Sequence, residues 1–347
     1  MPVSINFSFN FGVALLVTFI LLLLTGFLSV FFYSNTLETS FLCLILTSFN
    51  NFNYFFLRVA HNTFANFFFL FIYFHIIKSW FYSWLNNFYV VLLGLAIYFL
   101  SCAIAFFGYC LPMGQMSFWA AIVIFSLLTV LPFGNFIILY LFGSFSLSWR
   151  TLSILFFLHF VCPFLLLVLI ASHLLILHSN LSSTTNDFLD LVFMLPLFIL
   201  IDVFVWILLL GLYTLIIFFF WFSLFETANF LAFNSLVTPL HIYPDWFLLF
   251  PYACLRSVDW KPMGVFLLVI IILLQFFLPS ILSAFKSSNN FIFFSLYLFF
   301  LFIVLTFCGA HPSVYPYNVL VILAQFLVLV TIFLGTLFSS LTNLLSY

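Results

Sequence analysis

Seven histidines stand in the 347-residue sequence, at positions 61, 75, 159, 173, 178, 241 and 311. Four of them form two pairs, His61/His75 and His159/His173, each separated by the same 14 residues. On an α-helix, 14 residues rise about 21 Å and return within about 40° of the starting azimuth. Each pair therefore puts two imidazoles on one face at two depths. Two helices running in the same direction then bring His61 level with His159 and His75 level with His173. Two facing imidazoles at each level are what two bis-histidine b-type haems require. A single histidine inside a membrane is as often a packed or hydrogen-bonded residue as a ligand. Two equal 14-residue intervals among seven histidines have a chance of roughly one in fifty or less, and the ligand reading is the stronger.

Such pairs need long helices, and the composition supplies them. Hydrophobic residues make up 67% of the chain and charged residues 4%, with a mean hydropathy of +1.41. A water-facing surface needs about 25% charged residues, and six Lys+Arg with seven Asp+Glu fall far short of that. This excludes a soluble enzyme or secreted domain, and it excludes nucleic acid as a partner, for which a basic patch would be needed. The expected partner is the lipid bilayer, crossed by runs of about 20 apolar residues. Breaks in the apolar pattern place spans near 11–33, 54–80, 87–110, 150–178, 196–222, 262–285, 291–308 and 318–340. The expected fold class is thus an all-α polytopic membrane protein with eight transmembrane helices.

The glycines repeat the histidine interval: Gly12 and Gly26 in the first span, Gly94 and Gly108 in the third. A helix without a Cβ lets a bulky neighbour approach its backbone, so these are notches at the two depths where the histidines lie. The first four spans then form a haem-binding four-helix bundle over residues 1–180, and residues 181–347 form a second four-helix domain. Two long connections, 111–149 and 223–261, each follow an odd-numbered span and lie on one side of the membrane; connections of this length carry structure or function of their own. Short amphipathic helices are expected in them. Lys and Arg are too few to orient the chain.

The six cysteines are scattered without a C-x-x-C pair, so neither a zinc ribbon nor covalent haem attachment is indicated. No Lys or Arg precedes Arg58, which leaves no basic signal-peptide region or Arg-rich transit peptide. The expectation is a chain made inside the compartment in which it works. Phe, at 60 residues, is about 17% of the chain, beyond what interfacial aromatic belts need; this suggests a mutational bias such as that of a small organellar genome.

Three segments carry a resemblance. The stretch Gly108–Trp119, with Leu111-Pro112-Met113-Gly114-Gln115 at its centre, looks like the third-span exit of the cytochrome b family, the core of the ubiquinol:cytochrome c oxidoreductases (complex III). Thr238-Pro239-Leu240-His241-Ile242-Tyr243-Pro244-Asp245-Trp246-Phe247, running on to Leu255-Arg256-Ser257, resembles that family's quinol-site segment. Gly309–Tyr317 is similar to its last external loop. The match runs from Asn10 to about Tyr317, in order, and resembles the fused respiratory form rather than the split chloroplast type.

The resemblance implies two haem b groups, one on His61 and His159 and one on His75 and His173, with ubiquinone and ubiquinol as substrates. It places Arg58 beside a propionate, where a buried Arg finds a carboxylate; Lys78 would serve the second haem. Asp245 occupies the place of the family's usual Glu as proton acceptor from quinol, between Pro244 and Trp246, with Phe247 replacing the usual Tyr and Phe106 and Tyr109 on the facing wall. His178, Ser182 and Asp202 match the quinone-reducing site, where His178 and Asp202 would deliver protons. The chain has no cysteine set for an iron–sulfur cluster and no C-x-x-C-H for haem c. The implied partners are therefore a Rieske iron–sulfur protein, a cytochrome c1-type subunit and further complex III subunits in a homodimeric complex of the mitochondrial inner membrane, with the chain organelle-encoded. Two rival readings are a dihaem b membrane anchor of another quinone-linked oxidoreductase, which would not need the Pro244–Phe247 loop, and a transporter with histidine proton relays, which would bind no haem.

Departures from the family pattern are Met113, Ile154 and Ile201, where Trp, Arg and Lys are usual, and Ala120, where Gly is usual. The added methyl of Ala120 narrows the quinol pocket. Strobilurin-type compounds are therefore expected to inhibit weakly, and nanomolar sensitivity of turnover in isolated membranes would contradict this.

Overall fold

The computed structural model describes residues 10–82, 88–144, 147–179, 196–282 and 290–345. Long apolar helices appear where the apolar runs predict them: α1 (Phe11–Val30), α3 (Phe52–Tyr82), α4 (Phe88–Cys110), α7 (Trp149–Ser179), α8 (Leu197–Leu215), α10 (Lys261–Leu282), α11 (Asn290–Gly309) and α12 (Tyr317–Leu345). Among the described residues, five helical segments are long and apolar enough to cross a membrane: Phe11–Val30, Phe52–Ser79, Phe88–Cys110, Trp149–Ser179 and Ile199–Leu224. The count meeting that criterion is five, against the eight expected; α10, α11 and α12 lie at the other three expected positions.

Proline marks several helix starts, because a residue without an N–H is tolerated where the first-turn N–H groups have no helical partner. Pro196 precedes α8, Pro262 sits in the first turn of α10, and Pro316 precedes α12. Pro163 falls inside α7, four residues after His159, and so takes away the helical partner of the His159 carbonyl. The C-terminal end of α8 is irregular: a π-helical turn, Ile216–Phe220, leads into a 3-10 turn, Trp221–Leu224. Shorter helices fill the connections: α2 (Ser40–Asn50), α5 (Gln115–Leu128), α6 (Gly134–Phe142) and α9 (Leu249–Arg256). Of these α2 was not expected. The pair α5 and α6 falls within 111–149, and α9 falls within 223–261. Gly143 ends α6 at a φ of +76°, a left-handed closure that glycine adopts without a Cβ penalty.

The chain divides into two compact units, one of residues 1–75, 92–129 and 133–240, the other of residues 76–91, 130–132 and 241–347. In the first, one core joins Ala14 of α1, Val59, Ala60, Phe64 and Phe71 of α3, and Leu209 and Tyr213 of α8. Within it the Thr18 hydroxyl donates to the Ala14 carbonyl at 2.6 Å and accepts from the Tyr213 hydroxyl, also at 2.6 Å. A second core gathers Cys110, Met113, Phe118, Ala121, Phe125, Phe142, Leu152 and Leu155 around the α4–α5 turn.

That turn is held from a distance in sequence. Asn229 Oδ1 accepts from the Ser117 N–H at 2.8 Å, Gln115 Oε1 accepts from the Asn234 N–H at 2.6 Å, and Gln115 Nε2 donates to the Val237 carbonyl at 2.5 Å. A Cβ on Gly114 would meet the Asn229 carbonyl oxygen at 2.7 Å, so glycine permits the approach. Tyr33 adds a third strut, donating to the Leu111 carbonyl at 2.7 Å and stacking on Phe156 at 5.3 Å; burial pushes its phenol pKa well above the ordinary value. In the second unit α9 packs on α10, α11 and α12. Glycines again admit close backbone contact, because a Cβ on Gly264 or Gly309 would collide with the Leu255 or Leu249 carbonyl.

Candidate functional site

Two parallel helices, α3 and α7, carry the four paired histidines, and the structure brings them together level by level. The His61 and His159 rings lie 6.1 Å apart between centroids, at 83° to one another. The His75 and His173 rings lie 6.5 Å apart, at 63°. Two imidazoles bound to one metal from opposite sides, each through a nitrogen about 2 Å away, have centroids about 6 Å apart. Both levels fit that arrangement. Among the described residues no three His, Cys, Asp or Glu side chains cluster to hold a metal ion. A metal placed between either pair would take its remaining ligands from outside these side chains.

The glycines meet the histidines one to one. A Cβ on Gly26 would lie 3.1 Å from His61 Cε1, on Gly94 3.6 Å from His173 Cε1, and on Gly12 3.9 Å from His75 Cε1; on Gly108 it would collide with His159 Cε1. The equal intervals in the two residue types thus have one cause, since each of the four histidine rings rests in the notch of a neighbouring helix.

Hydrogen bonds set the tautomers at one level. The Ile104 carbonyl can only accept, and it lies 2.9 Å from His159 Nδ1. Nδ1 therefore carries the proton, and Nε2 keeps the lone pair a metal needs. Ile104 stands four residues before Gly108, so the missing Cβ also gives the ring access to a helix carbonyl. On the opposite ring, His61 Nδ1 lies 3.0 Å from the Thr25 hydroxyl. Asn62, next to His61, donates to the Leu224 carbonyl at 2.8 Å and so satisfies a group freed by the irregular end of α8.

Arg58 lies one turn before His61, half-buried, with its guanidinium 5.7 Å from the centroid of the Phe225 ring. Lys78 is half-buried in α3, three residues after His75. Asp202 is half-buried and accepts a hydrogen bond from Asn10 Nδ2 at 2.6 Å, a partner not singled out from the sequence. His178 is exposed on the last turn of α7. Ser182 lies outside the described residues. Phe106 and Tyr109 are half-buried near the end of α4, and Ala120 is half-buried on α5 beside the fully buried Ala121.

In the second unit, Asp245 precedes the 3-10 turn Trp246–Leu248, and its carbonyl accepts from the Leu248 N–H at 2.9 Å. Its backbone is extended there (φ −53°, ψ 154°). Of the two following aromatics, Phe247 is buried and Trp246 is exposed. The Tyr252 hydroxyl donates to the Ile242 carbonyl at 2.6 Å, tying α9 back onto this loop. Arg256 closes the unit from the other end. It donates to the Cys308 carbonyl at 2.7 Å and to the His311 carbonyl, with its guanidinium 5.0 Å from the Tyr252 ring centroid.

Residues 1–181 match the family described as Cytochrome b/b6/petB, and residues 232–332 match Cytochrome b(C-terminal)/b6/petD. Cytochrome b of Albinaria caerulea is 38% identical over 328 residues, covering 91% of this chain and 89% of that protein. Cytochrome b of Dictyostelium discoideum is 35% identical over 327 residues (91% and 84%), and that of Myxine glutinosa 34% over 334 residues (94% and 87%). A chain of a solved structure titled Hyperthermophilic respiratory Complex III shares the fold, with a TM-score of 0.90 at 24% identity over 98% of this chain and 93% of that one. Agreement across both halves of the sequence, on a structure that pairs four histidines at two levels, makes this chain a member of the cytochrome b family.

Proposed function

We propose that the chain is the cytochrome b subunit of a ubiquinol:cytochrome c reductase. It oxidises quinol on one side of the membrane, passes electrons through two haem levels and reduces quinone on the other, with proton translocation. The observation that carries this reading is the pairing of imidazoles across α3 and α7, with centroids 6.1 and 6.5 Å apart. His61 with His159 and His75 with His173 hold one haem b each, and these groups, when bound, supply one-electron transfer across the bilayer.

The chain's own residues do the rest. Gly12, Gly26, Gly94 and Gly108 leave room for the ligand rings, Arg58 neutralises a propionate, and Lys78 serves the second level. Asp245, fixed between Pro244 and Trp246, accepts the proton released as quinol is oxidised. His178 and Asp202, with Ser182, deliver protons to quinone, and Asn10 orients the Asp202 carboxylate. The other electron carriers are separate subunits: a Rieske iron–sulfur protein and a cytochrome c1-type subunit within a dimeric complex of the mitochondrial inner membrane. Residues 1–180 form the haem-binding part and 181–347 the second domain.

A reduced-minus-oxidised spectrum of the complex containing this chain should show two resolvable b-type signals. His75→Leu should remove one and leave the other; retention of both would overturn the ligand assignment, and absence of b-type absorption from the unaltered chain would end the reading altogether.

A further inference from the structure

We propose that Thr25 is a positioning residue for His61, holding its imidazole with the proton on Nδ1 and so tuning the redox potential of the His61–His159 level. The inference rests on the haem reading above. Thr25 is buried on α1. Its hydroxyl proton is directed at the helix backbone, with the Leu21 carbonyl at 2.7 Å and the Leu22 carbonyl at 3.3 Å. The oxygen has lone pairs left over, and His61 Nδ1 lies 3.0 Å away. A hydroxyl already donating can only accept from the ring, so the ring proton sits on Nδ1 and the Nε2 lone pair remains available to iron.

The opposite ligand differs in kind. His159 Nδ1–H is held by a main-chain carbonyl, that of Ile104 at 2.9 Å, which no side-chain substitution removes. At this level the side chain that fixes a ligand tautomer is therefore that of Thr25. Nor is the hydroxyl part of the repeated pattern. The residues preceding the other three ligand-facing glycines are Phe11, Leu93 and Phe107, and none of these carries a hydrogen-bonding side chain. The Thr25-Gly26 pair thus supplies a hydroxyl and a notch on the same turn, at one level only.

The consequence follows from the ligand chemistry. An acceptor on Nδ1–H makes imidazole a better electron donor at Nε2, which favours the more oxidised iron and lowers its midpoint potential. Near-isosteric Thr25→Val removes the acceptor and keeps the shape. In membranes carrying the whole complex, potentiometric titration of the b-type absorbance should then show one of the two signals displaced to higher potential and the other unmoved. Thr25→Ser should leave both at their original values. Unshifted potentials in the valine variant, or equal shifts in valine and serine variants, would overturn the proposal. If the valine variant fails to retain the haem at this level, the serine variant decides. Retention with serine supports a hydroxyl role; loss in both means that the site needs the shape of threonine, and the proposal falls. Failure of the haem reading looks different, because no b-type signal would then appear in the unaltered chain.

Discussion

Gly108→Ala is expected to abolish haem binding at the His61–His159 level, whereas Gly94→Ala leaves the other level intact. The four glycines repeat one spacing in sequence, but they are unequal in space. A methyl on Gly108 would collide with His159 Cε1 and also stand 2.9 Å from Nδ1 and 3.0 Å from Nε2. The whole ring must then move. Movement breaks the 2.9 Å bond from Nδ1 to the Ile104 carbonyl, at a cost of about 1 kcal/mol or more. It also displaces the metal-binding Nε2 beyond the ~0.5 Å tolerance of a preorganised site. At Gly94 and Gly12 the corresponding Cβ distances, 3.6 and 3.9 Å, are ordinary van der Waals contacts, so alanine is accommodated. Gly26, at 3.1 Å from His61, should give an intermediate result. The difference spectrum reads the outcome: one b-type signal lost in Gly108→Ala, with quinol:cytochrome c reductase turnover falling by about 100-fold or more, and both signals kept in Gly94→Ala. Two intact signals in Gly108→Ala would refute the cramped geometry at that level.

Why the histidine levels were legible in the sequence and their hydrogen bonds were not has a physical reason. A 14-residue interval is a property of one helix, and the helix constrains azimuth and depth without reference to anything else. The apolar runs likewise report local structure, because a segment that must satisfy its backbone inside lipid has to be helical. Thr25, by contrast, meets a histidine 36 residues away. Asn10 meets a carboxylate 192 residues away and Asn229 an N–H 112 residues away. Contacts at such separations leave no period in the chain. The Thr-Gly pair at 25–26 was the one visible sign, and it mattered only once the ring was known to lie against it.

The long connections were partly legible. The connections 111–149 and 223–261 stood out by their length as chain that is not a span, and the helices α5, α6 and α9 lie within them. The docking of residues 229–237 onto the α4–α5 turn was not foreseen, although Gln115, whose side chain makes two of its hydrogen bonds, stood within a motif noted for its resemblance. The helix α2 was missed because its 11 residues are too few to span the bilayer and so left no signal in a search for spans.

The second large effect is expected at Asp245. Asp245→Asn preserves size and hydrogen-bonding capacity but removes the carboxylate, which is the only part of the side chain able to take a proton from quinol at neutral pH. Positioned general bases contribute about 10²–10⁴-fold, so turnover should fall by that order. Both haem signals should persist, since the site belongs to a different compact unit from the four histidines. Local structure argues that the loop survives the change. Two of its hydrogen bonds do not use the carboxylate, the main-chain bond from the Leu248 N–H to the Asp245 carbonyl and the Tyr252–Ile242 bond. Burial of Phe247 supplies a further anchor, and because that ring is buried, Phe247→Leu should perturb packing far more than proton transfer. Asp245→Glu keeps the acid–base chemistry on a side chain one methylene longer, and should retain most of the activity that Asp245→Asn loses. Steady-state quinol:cytochrome c reductase assays, paired with haem reduction by quinol in a single turnover, separate these outcomes. Asparagine at near-native rates would show that the proton leaves by another group; glutamate as inactive as asparagine would show that the position is structural, because charge and proton affinity would then be restored without restoring function.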